Sequence, residues 1–145
     1  MLSSTRWRPR CGVHSVEMYD DCYNMCFLDI AVVGGVRIEA NNLNVEFLHT
    51  SFERNNARWD GGGFYLANSN VNITFVSCNF LRNVAEGNDG GGIYIRESNS
   101  YVSFERSIIS FNRADSDKGG GMYVWKGNTN VVIFSTVIRY AAVVV

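Results

Sequence analysis

The run Gly61-Gly62-Gly63-Phe64-Tyr65-Leu66 recurs 29 residues later as Gly90-Gly91-Gly92-Ile93-Tyr94-Ile95. It recurs after a further 29 as Gly119-Gly120-Gly121-Met122-Tyr123-Val124. A fixed beat of this length constrains the fold more than any other feature of the chain. Each unit is one small supersecondary element, and equivalent residues must occupy equivalent places in a stack. A degenerate earlier copy, Gly34-Gly35-Val36-Arg37-Ile38, keeps two glycines and loses the tyrosine. A second landmark keeps the same time: Phe52-x-x-Asn55-x-Ala57 returns as Phe80-x-x-Asn83-x-Ala85 and as Ile109-x-x-Asn112-x-Ala114, at offsets of 28 and 29. A third column is read at Phe47, Phe75, Phe104 and Phe134, preceded two positions earlier by Val45, Ile73, Val102 and Val132.

Inside each unit the period drops to two. Val45-Glu46-Phe47, Ile73-Thr74-Phe75 and Val102-Ser103-Phe104 alternate apolar with polar residues, the pattern of a strand with one buried face. Helical spacing is absent. About three short strands fit in each unit, at Gly-x-Tyr, Val-x-Phe and Phe-x-x-Asn. Turns are expected at Asn68-Ser69-Asn70, near Ser77-Cys78 and at Glu86-Gly87-Asn88-Asp89. Such a unit cannot bury its own apolar face, but stacked coils can, with equivalent residues about 4.8 Å apart along the axis. The expectation is an all-β parallel β-helix of about four coils. Residues 1–32 form an N-terminal segment, read as a degenerate first coil or a cap. Coils follow at about 33–60, 61–89, 90–118 and 119–145.

Four roles follow from the stacking. Phe47, Phe75, Phe104 and Phe134 form an internal aromatic stack. Asn55, Asn83 and Asn112 form an amide ladder at a bend. Thr50, Cys78, Ser107 and Thr136 form a column of small residues. The triplets Gly61–Gly63, Gly90–Gly92 and Gly119–Gly121 turn corners where the backbone needs positive φ or close approach to a neighbour. An antiparallel sandwich would not require identical residues at a fixed offset, and the Leu-x-x-Leu-x-Leu signature of a leucine-rich horseshoe is missing.

The composition is 46% hydrophobic with a net charge of −1 over 145 residues. That is enough for a core, and it leaves no broad basic field for nucleic acid or an anionic membrane. No apolar stretch is long enough for a membrane-spanning helix. The opening MLSSTRWRPRCG has basic residues without an apolar segment after them and does not read as a signal peptide. Either a cytosolic chain or a piece of a longer secreted protein is compatible with it. Cys11, Cys22, Cys26 and Cys78 are the cysteines. Cys22-x3-Cys26 with His14 lacks the second pair of a four-ligand zinc site. Free, bridged and metal-bound states of the first three stay open, with unlinked cysteines favoured.

The candidates for chemistry are few. The glycine triplets run into a strand, whereas a phosphate loop needs Gly-x4-Gly-Lys-[Ser/Thr] before a helix. Calcium β-rolls repeat every nine residues, the wrong period. Asp60 and Asp89 fall in one column beside Asp117, the constellation expected of a polysaccharide-acting lyase or hydrolase. Asp before Gly is also ordinary turn chemistry, and that reading is preferred, leaving no catalytic residue and no cofactor. Arg54 and Arg82 share a column, and Trp59, Trp125 and Lys126 lie near turns. Asn72-Ile73-Thr74 is a glycosylation sequon of consequence only in a eukaryotic secretory pathway.

These motifs resemble a known family. Gly91-Gly92-Ile93, Phe52-Glu53-Arg54-Asn55 and Phe80-Leu81-Arg82-Asn83 are similar to the Gly-Gly-Ala-[Ile/Leu/Val] and Phe-x-x-Asn repeats of the chlamydial polymorphic outer-membrane proteins, over roughly residues 34–140. Gly replaces the commoner Ala in the glycine motif, and Ile109 stands where the third copy would have Phe. The resemblance implies a right-handed β-helix of the pectin-lyase-like kind, used as an extracellular or surface-exposed adhesin module of a longer chain. Its implied partners are surface glycans or proteins and neighbouring coils.

Overall fold

A computed structural model describes residues 16–18, 26–28, 35–115, 118–139 and 142–144. Among them every strand pairing is parallel and no helix occurs. The chain is a β-solenoid of about four turns with a repeat of about 29 residues. The first strands are β1 (Val16–Met18) and β2 (Cys26–Leu28). Three complete turns follow: β3 (Val36–Ile38), β4 (Leu43–Leu48), β5 (Ser51–Glu53) and β6 (Asn56–Ala57); then β7 (Phe64–Leu66), β8 (Val71–Val76), β9 (Asn79–Leu81) and β10 (Val84–Ala85); then β11 (Ile93–Ile95), β12 (Ser100–Glu105), β13 (Ile108–Ser110) and β14 (Arg113–Ala114). The last strands are β15 (Met122–Val124), β16 (Thr129–Phe134), β17 (Val137–Arg139) and β18 (Val143–Val144).

Each strand hydrogen-bonds its copies in adjacent turns, giving four walls ordered β1-β3-β7-β11-β15-β18, β16-β12-β8-β4-β2, β17-β13-β9-β5 and β14-β10-β6. The fourth wall, of two-residue strands, goes beyond the three strands per unit expected from the sequence. It continues directly from the Phe-x-x-Asn segment through the Ala57, Ala85 and Ala114 column. Strands β1 and β2 extend the first two walls ahead of β3 and β4.

The period-two alternation produces the core. In β4, β8 and β12 the inward residues Val45, Phe47, Ile73, Phe75, Val102 and Phe104 are buried. Phe47 stacks on Phe75 at 4.9 Å and Phe75 on Phe104 at 4.6 Å, the rings of each pair nearly parallel. A second stack, Phe52 on Phe80 at 4.6 Å, meets the first edge to face. Each such contact is worth about 0.5–1.5 kcal/mol beyond burial of the rings.

The aromatic column departs from expectation in the last turn. Phe104 is in register with Ile133, and Phe134 sits opposite Glu105 and is 62% exposed. Val131 replaces Val132 in the neighbouring column for the same reason. The backbone keeps a step of 29, whereas Phe134 lies 30 residues beyond Phe104. A slip of one residue along a strand turns the side chain to the opposite face.

The corners are built less from glycine than the triplets imply. Positive φ recurs at fixed columns: Asn44, Asn72, Tyr101 and Asn130; His49, Ser77, Arg106 and Ser135; Arg54, Arg82 and Phe111. In each triplet only the first glycine has positive φ, as at Gly90 with +67°. The second is required by crowding. A Cβ on Gly91 would lie 2.2 Å from the Arg113 carbonyl oxygen and 2.5 Å from that of Gly120.

Candidate binding surface on the outer wall

Phe64 and Leu66 point into the core, so Tyr65 between them points away from it. It is nevertheless buried, as is Tyr94 at 7% exposure. The tyrosines stack on one another along the outside of the first wall, Tyr65 to Tyr94 at 5.2 Å and Tyr94 to Tyr123 at 5.6 Å. The Arg37 guanidinium covers the free face of Tyr65 at 4.3 Å. The glycine corners lie against this ladder: a Cβ on Gly61 or on Gly90 would come 2.9 Å from the Cβ of Tyr65 or Tyr94. Burial holds the Tyr94 hydroxyl well above the usual tyrosine range, and the carboxylates of Asp60 and Asp89 add to the shift.

Asp60 and Asp89 occupy equivalent corners beside the tyrosines, immediately before Gly61 and Gly90. Their carboxylates bind backbone. The Asp89 N–H donates to Asp60 Oδ1 at 3.3 Å, and the Lys118 N–H donates to Asp89 Oδ1 at 2.8 Å. Each carboxylate therefore caps the corner of the next turn. Asp117 lies outside the described residues. The two members of the alternative acid set that can be placed thus each accept a backbone N–H of the next turn. A cavity of about 570 Å³ opens at the Arg37 end of the tyrosine ladder, lined by Arg37, Arg54, Asn55, Asp60 and Tyr65 among others.

The amides expected at Asn55, Asn83 and Asn112 stack at the bend before the fourth wall. Asn83 Oδ1 accepts from the backbone N–H of Asn55 at 3.0 Å and from its Nδ2 at 2.9 Å. Asn112 Oδ1 receives the same pair from Asn83. A second ladder, at Asn42, Asn70, Asn99 and Asn128, lies at the corner between the first and second walls. Asn70, in a stretch whose composition predicts a turn, is a rung of this ladder, and the four asparagines are spaced at 28, 29 and 29 residues.

The small-residue column is also used. The Cys78 N–H donates to Ser107 Oγ at 3.1 Å, and the Ser107 N–H to Thr136 Oγ1 at 3.3 Å. Cys78 Sγ points at the Phe47 and Val76 carbonyls, and burial pushes its thiol pKa up. A protonated, enclosed thiol is a poor nucleophile. Cys11, Cys22 and His14 lie outside the described residues, and only the backbone pairing of Cys26 is described. Among the described residues no three His, Cys, Asp or Glu side chains gather into a metal site.

The outward surface carries isolated aromatic–cation pairs. Trp59 is 58% exposed with the Arg58 guanidinium 5.2 Å from its ring, and Trp125 is approached by Lys126 at 4.8 Å and Arg96 at 5.8 Å. Arg82 lies 5.8 Å from the ring of Phe111, the next residue in its column. No helix of the described chain is long and apolar enough to cross a membrane. Comparison with protein-family models, with curated proteins and with solved structures gave no match, so the likeness to polymorphic outer-membrane repeats rests on the motif residues alone.

Proposed function

We propose that the chain is a non-catalytic structural and binding module of a secreted or cell-surface β-solenoid protein, with repeats of the polymorphic outer-membrane type. The observation that carries this reading is the use of the Asp60 and Asp89 carboxylates as backbone caps. The acids best placed to act on a sugar are engaged in holding coil to coil. The polar side chains that repeat in register, the two asparagine ladders and the Thr50–Thr136 column, are likewise spent on backbone and on one another. At two corners Trp59 and Trp125 face outward, each beside a cation. Exposed tryptophan flanked by a cation suits stacking on a glycan face or anchoring a protein partner.

Two measurements test the reading together. The protein is incubated with neutral and acidic polysaccharides across a range of pH, and new reducing ends and unsaturated products are followed. No cleavage is expected. Binding to immobilised glycans and cell surfaces is then compared for the protein and for Trp59→Ala and Trp125→Ala, with weakened binding expected in at least one variant. Cleavage that disappears in Asp89→Asn would replace this reading with a lyase or hydrolase of the pectin-lyase-like fold.

A further inference from the structure

We infer that the cavity at the Arg37 end of the tyrosine ladder is a binding site for a free α-amino acid, best one with a carboxamide side chain. Its volume of about 570 Å³ falls in the range of small-molecule sites, about 300–1,000 Å³. The opening arises inside the chain. Fifteen residues join β4 to β7 and form β5 and β6 on the way, whereas seven join β2 to β3. The turn ahead of β5 and β6 is therefore eight residues shorter over the stretch that builds the third and fourth walls. Among the described residues no strand precedes β5 or β6 in its wall.

A buried acceptor faces this space without a partner. Asn55 lines the cavity and is 9% exposed. Its N–H and Nδ2 both go forward to Asn83 Oδ1, and among the described residues nothing donates to its own Oδ1. Buried amide oxygens are rarely left so. The inner turns show what such a position takes. Asn55 gives its N–H to Asn83 Oδ1 and its carbonyl to the Val84 N–H, and Asn83 serves Asn112 Oδ1 and the Arg113 N–H in the same way. Asn56 is in register with Val84 and Arg113, so its N–H points back toward the cavity it lines. The first turn thus presents an acceptor and a donor at the spacing of one residue's own N–Cα–C–O.

A free α-amino acid has that spacing and carries a charge at each end. Both charges find counterparts. Arg54 lines the cavity and forms no ion pair among the described residues. Asp60 lines it too, and only its Oδ1 is engaged, by the Asp89 N–H. The ligand's ammonium donates to Asn55 Oδ1 with Asp60 as counter-charge, and its carboxylate accepts from the Asn56 N–H with Arg54 as counter-charge. Arg37, tied to Glu39 and laid over the Tyr65 ring, serves as wall. A carboxamide side chain supplies the second donor that Asn55 and Asn83 provide through Nδ2. A neutral sugar or an uncharged stretch of chain would match neither Arg54 nor Asp60.

L-asparagine is the probe, titrated into the isotopically labelled full chain and followed by NMR. Saturable binding is expected, with shifts confined to residues 35–37 and 54–65. Succinamic acid, which lacks the ammonium, and asparaginamide, which lacks the carboxylate, should each bind at least about tenfold more weakly, because each leaves a charged group unmatched. Arg54→Gln, at an exposed position outside the asparagine ladder, should weaken asparagine binding by a similar factor without lowering the melting temperature. No saturation up to about 10 mM, shifts mapping to other walls, or equal binding of succinamic acid would each overturn the inference. So would tighter binding of N-acetyl-asparagine methylamide than of asparagine, which would make the cavity a seat for a segment of chain. The ligand series leaves the protein unaltered, so the result does not hinge on a variant that folds.

Discussion

Asn83 donates its backbone N–H and its side-chain amide to the same oxygen, Asn112 Oδ1, each at 2.9 Å, while its Nδ2 also reaches back to the Phe52 carbonyl at 2.8 Å. One fully buried side chain therefore ties three successive turns together. Removing it strands donors and an acceptor in the preceding turn. Asn83→Leu takes the acceptor from the Asn55 N–H and Nδ2 and leaves the Phe52 carbonyl without its amide. The expected loss is about 3 kcal/mol, from more than one unsatisfied buried group. Urea unfolding measures it, with exposed Asn56→Ala as a control expected to change stability by less than about 1 kcal/mol.

The left-handed corners predict an improvement. Tyr101 has φ of +56° and is 60% exposed, in a column whose other members are Asn44, Asn72 and Asn130. Asparagine tolerates this backbone region better than a bulky side chain. Asn72 Nδ2 already donates to Asn44 Oδ1 at 2.7 Å, so an amide at 101 would lengthen that outer row. Tyr101→Asn is expected to stabilise the protein by about 1 kcal/mol, seen as a raised melting temperature. An unchanged or lowered value would show that the ring makes a compensating contact.

Glycine is indispensable at one corner and replaceable at another. The 2.2 Å approach of a Gly91 Cβ to the Arg113 carbonyl is to backbone, which cannot step aside. Gly91→Ala should cost more than about 3 kcal/mol or prevent folding. At Gly127 φ is also positive, at +71°, but a Cβ would meet only Ser98, at 3.7 Å. Gly127→Asn should remain within about 1 kcal/mol of the parent. Circular dichroism and thermal melts of the two variants distinguish a crowded glycine from a merely turned one.

Tyr94 sets a limit at alkaline pH. Burial, with Asp60 and Asp89 nearby, raises its folded pKa above the unfolded value of about 10. Between those two values the folded state holds a proton that the unfolded state releases. Stability is therefore unaffected by this group below about pH 10 and falls above it, by up to about 1.4 kcal/mol per pH unit. Tyr94→Phe should remove that contribution to the slope while leaving stability near neutral pH almost unchanged. Unfolding curves at several pH values from 9 to 11 make the comparison.

The sequence made the stack legible because each turn repeats its chemistry at a constant step. The solenoid, its inward Val-x-Phe faces and the Asn55–Asn83–Asn112 positions could be read from spacing alone. Phe134 leaves the aromatic column because the constant step leads to Ile133, and the more conspicuous aromatic beside it faces solvent. The Asn42–Asn128 ladder kept perfect time but lay in a Ser- and Asn-rich stretch, where local turn chemistry is the ordinary explanation. The burial of Tyr65 and Tyr94 on the outer side comes from their stacking on one another, with Ala67 and the glycine corner just before each strand packed against them. Strand alternation carries no information about that. The backbone-capping role of Asp60 and Asp89 was equally hidden, since a carboxylate before glycine looks the same whether it faces solvent or the next turn's N–H.

The parallel pairing of every turn with the next has a mechanical consequence. The ladder bonds run along the solenoid axis, so a pull applied along that axis loads the bonds of an end turn one after another, as a zipper is opened. Turns should detach singly. Each release of a 29-residue unit would lengthen the tether by about 95 Å, from ~3.4 Å per extended residue less the ~4.8 Å rise it occupied. Under load the protein would pay out as a ratchet of nearly equal increments, absorbing work at each one.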